Sequence, residues 1–80
     1  MYSKIKNILI NNFYWIEDHD INLESSLRND LKLDSISIIN LQILVEDEFN
    51  IRFNPLETDL SKVFNRVSSL VRYIEKQGNE

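Results

Sequence analysis

Glycine and proline occur once each in 80 residues, as Gly78 and Pro55. A many-stranded β fold needs tight turns at short intervals and draws on both residues to make them. A chain this poor in them is pushed toward helices. The apolar spacing agrees. Ile5, Ile8, Leu9, Phe13 and Ile16 recur at helical intervals and predict a helix from Tyr2 to about Asp18. Ile10, Tyr14 and Trp15 widen this stripe as packing residues, and Lys4, Lys6, Asn7, Asn11 and Asn12 form its polar face.

Residues 19–33 read as a long connection anchored by Ile21, Leu23, Leu27, Leu31 and Leu33, with a short helical turn near Ser26–Leu31. Ordered loops of this length are uncommon and often functional. A second helix is expected from Ser35 to about Phe49, with Asp34 as its N-cap. The β-branched run Ile36–Ile39 alone would also suit a strand, but the segment's length and its Glu46-Asp47-Glu48 end favour a helix, apolar around most of its girth. After a loop at Asn54-Pro55, Asp59 caps a short helix over about Leu60–Phe64. Val67, Leu70, Val71 and Ile74 mark a last helix from about Arg66 to Gln77, with Gly78 as a stop. The expected architecture is all-α: a bundle of three long helices plus one short helix, as a single domain over residues 1–80, with a long ordered loop between the first two helices. A domain this small buries only about 60–65% of the surface its unfolded chain exposes, so there is no room for a deep substrate pocket.

Charge narrows the partners. The formal net charge is −4. It is concentrated in residues 30–50, where Asp30, Asp34, Glu46, Asp47 and Glu48 stand against Lys32 alone. An acidic face attracts basic protein surfaces and repels phosphate backbones, so nucleic acid is not an expected partner. No apolar run approaches the roughly 20 residues that span a bilayer, and the segment after Met1 lacks the core of a secretory signal. The expectation is a soluble cytoplasmic monomer.

Most catalytic arrangements are missing. There is no cysteine, hence no disulfide and no thiolate. The only histidine, His19, lies in the polar stretch Glu17-Asp18-His19-Asp20 and reads as a solvated loop residue. With no His pair, no Cys and no Gly-centred acidic loop, no metal site is expected. What remains is Asp30-Leu31-Lys32-Leu33-Asp34-Ser35-Ile36. Taken alone, it is an anchored loop meeting a capped helix, with Ser35 as the first helical residue.

The stretch from Asp30 to Phe49, DLKLDSISIINLQILVEDEF, resembles the signature of the acyl carrier protein family. That signature has a leucine, a small residue and a hydrophobe, then Asp-Ser-Leu opening a helix that ends in an acidic triplet and Phe. The chain length, the long first loop and the Val67…Leu70-Val71…Tyr73-Ile74 pattern fit too, so the likeness covers nearly the whole chain. The resemblance implies an acyl-carrier-like bundle and a non-catalytic carrier. Ser35 would receive 4′-phosphopantetheine as a phosphodiester, and Asp34 would hold the turn and help a phosphopantetheinyl transferase recognise it. The thiol absent from the sequence would come with that cofactor and hold acyl or aminoacyl groups as thioesters. Implied partners are this transferase, an acyl- or aminoacyl-loading enzyme, and condensing and tailoring enzymes. Their docking would fall on Ile36, Ile43, Glu46, Asp47 and Glu48. Ile38 reads equally as core or as part of this face, while Ile39, Leu44, Val45 and Leu70 read as core that could loosen around an acyl chain.

Two departures stand out. Lys32 occupies a position where the family commonly has glycine, which implies either a differently shaped loop or a partner contact. Ser37, Asn40 and Gln42 leave the second helix less acidic than in carriers of fatty acid synthesis, which keeps polyketide and nonribosomal peptide pathways open. The alternative without modification is an acidic helical adaptor that docks on a basic partner protein.

Overall fold

The computed structural model describes residues 1–54, 56 and 58–78. Pro55 therefore lies outside the described residues. The elements are α1 (Tyr2–Asn12), a 3₁₀ turn (Asp18–Asp20), α2 (Ser35–Phe49), α3 (Leu60–Val63) and α4 (Val67–Gly78). The described residues form no strand; Ser26 and Arg66 make an isolated antiparallel bridge. The all-α bundle of three longer helices and one short helix is as expected, with α2 and α3 bounded within a residue of the sequence reading.

One continuous core joins the elements. Ile5 and Leu9 of α1, Leu41 and Val45 of α2, and Leu70 and Ile74 of α4 are all fully enclosed, as is Leu27 of the long loop. Burial of this kind contributes about 1.5–3 kcal/mol per large aliphatic side chain and is the main force closing the bundle.

Helix α1 stops at Asn12, six residues before the expected Asp18. Phe13 is extended at φ −128°, and the Asn12 side-chain amide donates to the Ile8 carbonyl at 2.8 Å. Asparagine competes with the helical ladder in this way. The apolar stripe continues past the helix because Phe13 and Ile16 enter the core from irregular backbone. Tyr14, 93% exposed, stays outside the core and meets the Trp15 ring, edge to face at 5.2 Å between centroids. Trp15 is only partly covered, and its indole N–H donates to the Leu31 carbonyl at 2.8 Å, fastening this segment to the long loop. Lys6 Nζ and Asp18 Oδ1, 2.6 Å apart, tie α1 to the 3₁₀ turn.

The loop is ordered by hydrogen bonds to the start of α4. Leu27 N–H donates to the Asn65 carbonyl, Val67 N–H to Ser25 and Ser68 N–H to Leu23, at 2.9–3.1 Å. Between Ser26 and Leu31 the chain closes a turn in which Asp30 and Leu31 N–H both donate to the Ser26 carbonyl. Leu23 anchors through its carbonyl, which accepts the Ser68 N–H, and stays outside the buried core at 46% exposure.

Leu27→Ala should therefore lower stability by about 2–5 kcal/mol, whereas Leu23→Ala should stay within about 0.5 kcal/mol. Urea unfolding of the two variants measures the difference.

Candidate functional site at the start of the second helix

Leu31 and Leu33 are both buried, at 1% and 2% exposure. The residue between them has to turn the chain so that both can face inward. Lys32 does so at φ 60°, in the left-handed region. The Leu33 N–H then donates to the Leu27 carbonyl at 3.0 Å, closing the turn. Left-handed backbone suits glycine and costs a side-chain-bearing residue about 1–2 kcal/mol. The departure at this position thus leaves an unusual backbone in place rather than relaxing it.

One residue later Asp34, in extended backbone, caps α2. Its Oδ1 accepts the Ser37 N–H at 2.8 Å. This bond, reinforced by the Ser37 hydroxyl, holds the Asp34 carboxyl below the usual aspartate range. Ser35 follows as the first residue of α2 and is exposed. The Arg28 guanidinium, reaching back from the loop, places Nη2 3.4 Å from Ser35 Oγ and donates to it.

Beyond Ser35, α2 shows two apolar faces. Leu41 and Val45 point inward, whereas Ile36, Ile39 and Ile43 lie outward at 71%, 55% and 51% exposure. Their spacing of three and four residues makes one stripe. Ile39 therefore belongs to the outer face and not to the core where the sequence reading placed it. Val45 and Leu70 are core as expected, and Ile38 and Leu44 are partly buried against it.

The acidic triplet is split by function. Glu46 Oε2 accepts the Phe53 N–H at 2.8 Å and so braces the segment after α2. Asp47 and Glu48 are exposed, with Glu48 4.0 Å from Lys4 Nζ. Sequence reasoning missed Arg28 and Ile39. For Ile39 the signal was the i, i+3, i+7 series with Ile36 and Ile43; for Arg28 there was none, because a loop-to-helix contact has no periodicity.

The family model described as the phosphopantetheine attachment site matches residues 3–74. The chain belongs to the acyl carrier protein family. It is 31% identical over 71 residues to the acyl carrier protein of Coprothermobacter proteolyticus, covering 89% of this chain and 85% of the relative. It is 34% identical over 65 residues to that of Azobacteroides pseudotrichonymphae, covering 81% and 74%. With that of Thermotoga maritima it shares 31% over 77 residues, covering 96% and 90%. The cofactor of this carrier family is 4′-phosphopantetheine.

Two outcomes are expected. Lys32→Gly should raise the unfolding free energy by about 0.5–1 kcal/mol, because the left-handed strain is removed while the unfolded chain gains freedom. A depressed carboxyl contributes stability that is present above the unfolded value and lost as pH falls through the folded one. Asp34→Asn, which keeps a capping oxygen but does not titrate, should therefore show a shallower loss of stability than the parent when urea unfolding is followed below about pH 4.

Proposed function

We propose that the chain carries acyl or aminoacyl intermediates as thioesters on a 4′-phosphopantetheine esterified to Ser35, and that it catalyses nothing itself. The observation that carries this reading is the exposed Ser35 hydroxyl on the first turn of a capped helix, inside the region matched by the attachment-site model. A transferase can reach such an oxygen from solvent. The group fits there: its phosphate would meet unpaired N–H groups and the positive end of the α2 dipole, and the Arg28 guanidinium already donates to the ester oxygen's position. When bound, the group supplies the terminal thiol that a chain without cysteine lacks.

The protein's own residues do the positioning. Asp34 fixes the first turn of α2 and forms part of the surface a transferase would recognise. Leu31 and Leu33 hold the preceding loop against the core. Ile36, Ile39 and Ile43 form the apolar stripe on which loading, condensing and tailoring enzymes would dock, with Asp47 and Glu48 as its acidic end and Glu46 bracing the backbone beside them. Small apolar patches rimmed by charge suit brief encounters, with the charge speeding association. Thioester transfer is the chemistry common to fatty acid, polyketide and nonribosomal peptide assembly, and that class is the one proposed. Among the described residues no helix is long and apolar enough to cross a membrane; we place the carrier in the cytoplasm as a monomer.

Incubation with coenzyme A and a broad-specificity phosphopantetheinyl transferase should add one phosphopantetheine to the intact mass, and Ser35→Ala should abolish the gain. A parent chain that gains nothing from several such transferases would instead be an unmodified adaptor.

A further inference from the structure

Arg28 is the one basic side chain that the described structure brings into hydrogen-bond reach of Ser35. Its backbone is held from both sides. Leu27 and Leu31 are buried, and Leu27 N–H is bonded to the Asn65 carbonyl. Three acids lie within six residues of it, Glu24, Asp30 and Asp34, and none is paired with it. The Asp30 carboxylate accepts the Ser26 N–H at 2.7 Å, and the Asp34 carboxylate accepts the Ser37 N–H at 2.8 Å. None of the ion pairs among the described residues includes Arg28. Its guanidinium instead donates to a neutral hydroxyl at 3.4 Å. A fork of five N–H donors is poorly used by one alcohol oxygen and is matched to an anion with two free oxygens.

We propose that Arg28 is a positioning residue for the phosphodiester on Ser35: it clamps the phosphate and so fixes the direction in which the arm leaves the helix. The inference rests on the reading of Ser35 as the attachment point. Esterification would place an anionic phosphate on the oxygen that the guanidinium already addresses. The pair is exposed, so its strength is modest and screened by salt, and its role is to orient the arm at its root. Lysine would keep the charge and lose the planar fork.

The test uses ¹⁵N-labelled full-length chain, before and after modification with coenzyme A and a transferase, as the parent and as Arg28→Gln and Arg28→Lys. Intact mass reports attachment. The Arg28 Nε–Hε resonance, the ³¹P resonance of the phosphodiester and the urea unfolding of each form report the clamp. In the parent, modification should move the Arg28 resonance, and added salt should move it back. The ³¹P line should differ between the parent and Arg28→Gln. Modification should raise the folding equilibrium constant about two- to fivefold more in the parent than in Arg28→Gln, with Arg28→Lys between them. A mass gain with an unmoved Arg28 resonance and the same ³¹P line in parent and Arg28→Gln overturns the clamp while leaving attachment intact. A parent chain without mass gain overturns the attachment reading and the clamp with it.

Discussion

The bond from the Ser37 N–H to the Asp34 carboxylate decides where α2 begins, and almost everything of functional interest is measured from that point. It ends the loop and makes Ser35 the first helical residue. From that start, packing against the core takes Leu41 and Val45 inward and leaves Ile36, Ile39 and Ile43 outward. A start one residue later would make Ser35 the capping residue and take it out of the first turn.

The cap works because the chain arrives from a defined direction. Leu31 and Leu33 are both inside, and the left-handed Lys32 between them carries the backbone from one to the other. The loop before them is sewn to the start of α4 by backbone hydrogen bonds, with Leu27 as the buried pin. Arg28, next to that pin, inherits its fixed position and meets Ser35 across seven residues of sequence. A small core thus positions a surface hydroxyl through a rigid loop, without enclosing a pocket around it.

How much of this could be read from the residues alone varied with the physics involved. The bounds of α2 were legible because Asp34 caps its start and the segment's length and its Glu46-Asp47-Glu48 end mark a helix running to Phe49. The end of α1 was not, since Phe13 and Ile16 keep helical spacing while the Asn12 side chain ends the helix before them. Periodicity records which side chains are buried, and irregular backbone can bury them too. Ile39 was misplaced for a related reason: a helix apolar on two faces does not announce which one the bundle covers. The family likeness marked Lys32 as a departure, but the left-handed backbone kept there was not the differently shaped loop it suggested, and the Arg28–Ser35 contact depends on tertiary placement that no local pattern carries.

The central claim is that one particular oxygen, placed outward by the Asp34 cap, receives the arm. Ser37 lies two residues away on the same turn, half-buried and hydrogen-bonded through its N–H to that cap, and offers a direct internal comparison. Tandem mass spectrometry of peptides from the modified chain distinguishes the two hydroxyls. Phosphopantetheine found on Ser35 alone is the expected result. Its appearance on Ser37, or on any other serine of the chain, would contradict the link between helix start and carrier function.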